Sequence, residues 1–254
     1  MIEIFSPIEL ENAKRSGSFI ATALRTLRER VRIGTNLLEI DQWTREMLAE
    51  ASAKSCYVDY DPSFGDGPFG HFICTSVNDA VLHGMPHDYA LKNGDLLTLD
   101  LAASLHGIVT DAAVSFIVGT PTNPSDALMI ETTQRALEAG IAAANPGARI
   151  GDISHAVGTV LEAAGYLVNT DFGGHGVGTT MHQDPHIPNA GRPGRGYQLR
   201  PGLLLAIEPW VMAGTASLVT DPDGWTLRSA TGARAAHSEH TIAITDDGPV
   251  ILTI

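Results

Sequence analysis

The chain has 254 residues, 44% of them hydrophobic and 18% charged, with a formal net charge of -13. That balance describes an ordinary water-soluble globular protein, long enough for one large domain or two small ones. The acidic excess disfavours general binding to DNA or to an anionic membrane surface, and no apolar run reaches the roughly 18 residues of a membrane span.

The first residues, "MIEIFSPIELENAKR", lack the basic-then-apolar order of a secretory signal. Two cysteines, Cys56 and Cys74, argue against a disulfide framework and for a reducing compartment, so the expected location is cytoplasmic. Ser6, Pro7 and Glu9 spell a helix start: an N-cap, a first helical residue and the carboxylate of a capping box. Ile20, Leu24, Leu27 and Val31 then recur at helical spacing. Lys14, Arg15, Arg25, Arg28, Arg30 and Arg32 crowd this same region. They read first as a solvated face, and second as a docking patch for an anionic partner.

A second helix is expected over 34–53, with Ile40, Trp43, Met47 and Ala51 on one side. From 54 to 120 short apolar runs alternate with glycine and proline, and 94–119 reads as two antiparallel strands joined through Leu105, His106 and Gly107. Helical patterns return at 124–144 and 151–165, and strand-like segments follow to the end. A shift of 113 positions pairs Gly34 with Gly147, Leu37 with Ile150, Ile40 with Ile153 and Leu48 with Leu161. The expectation is one α+β domain over 1–254, built from two related halves of about 1–120 and 121–254.

Four carboxylates stand in unusual company. Asp100 and Asp111 lie inside apolar strands, Glu208 follows five apolar residues in "GLLLAIEPWV", and Glu239 opens "EHTIAIT" between His237 and His240. A buried carboxylate is costly unless something positive compensates it; turn or edge positions are the alternative for any one of them. The stretch "GGHGVGTTMHQDPH" (173–186) adds His175 and His182. It is not the helical H-E-x-x-H pattern, and its glycines argue against a helix. Oxygen-rich ligation with one imidazole suits Mn, Fe, Co or Zn, and so many carboxylates make a two-ion site plausible. His83, taken alone, reads as a structural histidine and Cys74 as a small buried hydrophobe. His71, His87, His106, His155 and His186 carry no pattern.

Together, "SVNDAVLHGMP", "LDLAASLHGIVTD", "GGHGVGTTMHQDPH", "AIEPWV" and "HSEHTIAIT" resemble the type I methionine aminopeptidases, of pita-bread fold, in order and spacing over nearly the whole chain. The short gap between His182 and Glu208 leaves no room for the type II insertion, and the start resembles the short bacterial form. The resemblance implies a metallo-exopeptidase that removes the initiator methionine of nascent proteins ahead of a small second residue. It implies two divalent ions (Co, Mn, Fe or Zn), with Asp100 on one, His175 and Glu208 on the other, and Asp111 and Glu239 bridging. A metal-activated water would attack the scissile carbonyl, with Glu208 as proton acceptor. His83 and His182 would contact the substrate, and Phe69, Cys74, Met181 and Trp225 would line the methionine pocket. Asp66 stands where an aromatic residue is expected, and Met181 where phenylalanine is common. A monomer with transient ribosome contact through the basic first helix is the further expectation. Two rival readings remain: a proline-directed peptidase of the same fold, which usually carries an extra N-terminal domain, and a metal-free binding protein, which should lack ligands. Because His182 lies an odd number of residues from His175, the glycines are expected to bend the chain so that both reach one cavity.

Overall fold

The computed structural model describes residues 2–62 and 65–254. Two helices come first, α1 (Pro7–Arg30) and α2 (Leu37–Ala51), followed by β1 (Lys54–Ser55), β2 (Cys74–Val77), β3 (Ala80–Leu82), β4 (Leu96–Leu105) and β5 (Ile108–Ile117). The second half repeats that order. It runs α3 (Pro124–Ala143), α4 (Ile150–Ala163), β6 (Gly173–Gly176), β7 (Gln183–Pro188), β8 (Leu204–Ile207), β9 (Trp210–Met212), β10 (Leu218–Thr220), β11 (Leu227–Ser229), β12 (Ala235–His237), β13 (Glu239–Thr245) and β14 (Gly248–Ile251). Strands from both halves share one nine-stranded sheet among the described residues, ordered β1-β4-β5-β13-β8-β6-β7, with β2 beside β4 and β14 beside β13.

Local chemistry sets the element ends. The Ser6 backbone N–H donates to Glu9 Oε2 at 2.7 Å and the Ser6 hydroxyl accepts from the Glu9 N–H, completing the capping box at α1. Helix α2 starts three residues later than the sequence pattern suggests, because Asn36 is its cap and Gly34 is already engaged with the Leu91 carbonyl at 2.7 Å. Its buried stripe runs through Leu37, Ile40, Thr44 and Leu48 rather than along Trp43, Met47 and Ala51. Strands β4 and β5 close through His106 and Gly107, whose φ values of 55° and 81° are those of a type I′ turn.

Strand periodicity decides what faces what. Along β4, Leu97, Leu99 and Leu101 pack with α1 and α2 residues such as Ile20, Leu24 and Ile40. Asp100 and Ala102 therefore point to the opposite face. In the second half Leu205 and Ile207 of β8, with Ile242 and Ile244 of β13, pack against Ile153, Val157 and Leu161 of α4. Helices thus cover one face of the sheet, and the interrupted apolar pattern of the other face supplies the polar groups.

Residues that the internal sequence match aligns occupy corresponding places in the structure. Gly34 and Gly147 share a left-handed backbone (φ 89° and 87°), and Leu37 and Ile150 are the first residues of α2 and α4. The isolated bridge Asn36–Ala90 has its counterpart in Arg149–Gln198. On the strand side of that bridge the matching shift drops to 108, so "LKNGDLLTLD" (91–100) falls on "LRPGLLLAIE" (199–208). Asp100 and Glu208 are therefore the same position of the two halves.

Candidate metal centre and side pocket

Five adjacent strands, β4, β5, β13, β8 and β6, carry Asp100, Asp111, Glu239, Glu208 (immediately after β8) and His175 in that order. The sheet order thus collects residues that the sequence scatters over 140 positions, from 100 to 239. Donor atoms of Asp111, His175 and Glu239 all lie within 4.8 Å of one another, as do those of Asp100, His237 and Glu239. His175 Nε2 is 3.6 Å from Glu208 Oε1. All five expected metal-binding residues, with His83 and His182, line one cavity of about 530 Å³.

The electrostatics call for a cation. Burial pushes the Asp111 and Glu239 carboxyls well above the usual range, and neighbouring carboxylates push them further. Burial likewise raises Asp100 and Glu208, the latter with help from the Asp100 charge. No lysine or arginine is among the described residues lining the cavity. Four acids buried together hold protons or a metal, because bare charges cost too much there. Glu239 Oε1 and His237 Nε2 are buried without a hydrogen-bond partner among the described residues. Burial lowers His175 and His83 to about 4, which keeps both rings neutral at pH 7. A neutral imidazole is the form that ligates a metal. The donor set therefore fits divalent ions.

His175 and His182 do converge, with ring centroids 4.5 Å apart and planes nearly perpendicular. The glycines serve this differently from the sequence expectation: none of Gly173, Gly174, Gly176 and Gly178 has a left-handed backbone. A Cβ on Gly174 would stand 2.3 Å from the Ala206 carbonyl oxygen, and one on Gly176 2.1 Å from that of Asp184. They permit close strand approach, while the redirection comes from a register shift between Gly174 and Gly176 and the reversal into β7. His175 Nδ1 lies 3.0 Å from the Gly176 carbonyl oxygen, which leaves Nε2 for the cavity. His83 has φ 54°, a left-handed conformation that is strained for histidine and concentrates at functional sites. Its ring meets Phe172 and Trp225 edge-on at 5.9 and 6.4 Å.

Phe69, Cys74, Met181 and Trp225 are buried and line the same cavity. Phe69 and Trp225 pack edge to face at 5.2 Å. Asp66 is exposed and does not line the cavity; Tyr60 supplies an aromatic wall, and its hydroxyl lies 2.6 Å from His182 Nδ1. Sequence reasoning also missed Tyr57, whose buried hydroxyl donates to Asp100 Oδ1 at 2.7 Å. His237 was visible beside Glu239 but went unassigned; two residues away along extended chain, it shares the face of that carboxylate. His186, which no sequence pattern explained, lines the mouth with Asp171 and Asp184.

The sequence profile described as metallopeptidase family M24 matches residues 11–246. A curated relative, methionine aminopeptidase 1 of Mycobacterium tuberculosis, is 41% identical, covering 97% of this chain and 92% of its own. The crystal structure of methionine aminopeptidase from Thermotoga maritima superposes with a TM-score of 0.93 at 39% identity, covering 100% of this chain and 99% of that one. Prolidase from Pyrococcus furiosus, at 21% identity and a TM-score of 0.75, covers 99% of this chain and 65% of its own, and shares the fold. No helix among the described residues is long and apolar enough to cross a membrane. The chain has the α+β pita-bread fold and belongs to metallopeptidase family M24, among the methionine aminopeptidases.

Proposed function

We propose that the chain removes the N-terminal methionine of nascent proteins, favouring a small second residue, with Asp100, Asp111, His175, Glu208 and Glu239 holding two divalent ions. The observation that carries this reading is the row of five donor residues across adjacent strands, opening beside a buried pocket of aromatic and sulfur-bearing side chains. Such a pocket suits a flexible thioether. Asp100 would serve one ion and His175 with Glu208 the other, Asp111 and Glu239 bridging; Co, Mn, Fe and Zn all suit these donors. When bound, the metal supplies Lewis-acid polarisation and makes water acidic enough to deprotonate near neutral pH.

The protein side chains do the rest. Glu208 accepts the proton of the attacking water. His182, held through Nδ1 by the Tyr60 hydroxyl, presents its other nitrogen to the carbonyl oxygen as charge develops there. His83, neutral and fixed between Phe172 and Trp225, contacts the scissile amide. Phe69, Cys74, Met181 and Trp225 take the methionine side chain. The chain works as one cytoplasmic, monomeric catalytic unit. Arg25, Arg28 and Arg32 are exposed and offer the ribosome a basic docking face; reversing all three charges should abolish co-sedimentation with ribosomes, and unchanged co-sedimentation would remove this contact.

A peptide assay tests the whole reading. Met-Ala-Ser should lose methionine only with divalent metal present, and Ala-Pro-Ala should stay intact. Cleavage of the proline peptide would favour a proline-directed enzyme, and a folded protein inert with every metal would point to a binding role.

A further inference from the structure

We infer that His237 is a sixth metal-binding residue, completing with Asp100 and Glu239 a second imidazole-containing cation pocket beside that of Asp111, His175 and Glu239. The inference rests on the reading of Asp100 and Glu239 as ligands. His237 is 1% exposed, and its Nε2 is buried without a hydrogen-bond partner among the described residues. That nitrogen lies 3.8 Å from Glu208 Oε2 and 3.9 Å from Glu239 Oε2, too far for hydrogen bonds. The spacing is that of donors that share an ion, and the atoms of Asp100, His237 and Glu239 fall within one 4.8 Å cluster.

Hydrogen bonds and strand pairing hold the His237 backbone beside the cluster. The Ser115 hydroxyl donates to the His237 carbonyl at 2.7 Å and accepts from the His237 N–H at 2.9 Å. β12 also pairs His237 with Trp210. A buried imidazole nitrogen without a partner costs free energy. An ion removes that cost.

Its chemistry follows from the donor count. The ion at Asp100 would otherwise see only carboxylate and water oxygen. An imidazole there raises the affinity for Co, Zn and Fe relative to Mn and Mg. Each ion would then carry one imidazole, with Glu239 common to both.

Metal-free protein, wild type and His237→Gln, is titrated with Co(II) by calorimetry, and the loaded forms are compared by proton NMR for paramagnetically shifted imidazole N–H signals. The wild type should show two such rings and His237→Gln one. The affinity of one ion should fall by at least about 10- to 100-fold, the range for losing even an outer-shell partner of a ligand, while the other ion holds. The loss should be smaller with Mn(II). His237→Ala, with its melting temperature measured metal-free, repeats the comparison should glutamine substitute as an oxygen donor. One shifted ring in the wild type, or unchanged affinities in both folded variants, would overturn the inference alone. A wild type that takes up no ion would overturn the ligand reading and this inference with it.

Discussion

The two halves of the molecule match in how their helices begin and differ in the chemistry they carry. α2 and α4 begin at matched residues, each preceded by a left-handed glycine, Gly34 or Gly147, and each docked by a bridge to the segment leading into a central strand. From that common frame Asp100 and Glu208 emerge at the same position. The neighbouring strands then diverge. Ser76 pairs with Thr98 as His175 pairs with Ala206, and Thr98 and Ala206 are themselves equivalent. Where the second half offers an imidazole to the cavity, the first has a hydroxyl that accepts from the Gly84 N–H at 3.1 Å. The first half instead contributes pocket walls, Tyr57, Tyr60, Phe69 and Cys74. A duplicated scaffold can thus keep its caps, turns and buried stripes while only the residues facing the cavity specialise.

Four experiments probe this division between the halves. The largest effect should come from Asp111→Ala, which takes from the first half the carboxylate proposed to serve both ions: calorimetric titration should show metal binding lost and activity gone with it. Stoichiometric binding by the variant would show that the second half suffices alone. His182→Ala, in the second half, should keep its metal and lose roughly 10²- to 10³-fold in kcat, the cost of a missing donor to developing negative charge. An emptied metal site in that variant would mean that His182 is a ligand.

The third experiment reads the protons that the metal displaces. Asp100 is pushed up to about 6 and Glu208 to about 8, both first by burial. Both folded values lie above the unfolded ones, so their stabilising contribution is full in acid and disappears as pH rises through those values. Metal that replaces these protons should raise the melting temperature more at about pH 8 than at about pH 5. His175, near 4, is already neutral in that window and adds no slope. A metal-induced shift that is flat with pH would contradict the carboxylates as ligands.

The smallest effect tests the frame itself. Gly34 and Gly147 both have φ near +90° with open space where a Cβ would go. Alanine at either should cost about 1–2 kcal/mol from the left-handed conformation alone. Denaturant unfolding should give matched losses, and a large difference between the two would show that the halves are alike in shape but not in energetics.

Much of this was legible before folding. The Ser6–Glu9 capping box, the hairpin around His106 and Gly107 (with Leu105 falling in β4 rather than in the turn) and the interrupted apolar runs around Asp100, Asp111 and Glu208 are local signals. The sequence match was half legible: one shift aligned the helices, but the segment between α2 and β4 differs in length from its counterpart between α4 and β8, and the Asp100–Glu208 equivalence needed a second shift. Tyr57 and Tyr60 gave no signal, since what assigns them is contact with Asp100 and His182, 43 and 122 residues away in the chain. Ser63 and Phe64, which fall in the stretch around Asp66 where the family pattern was hardest to follow, lie outside the described residues.

Legible in the sequence alone were the type and order of the helices, the period-two burial that leaves carboxylates on one face of the sheet, and the family. Those follow from short-range periodicity and from residue order. Tertiary structure alone sets β13 between β5 and β8, which puts the five donors in one row and brings His237 within 3.8 Å of Glu208. Strand order is non-local: it depends on which apolar faces the helices cover, and nothing within a few residues of Glu239 encodes it.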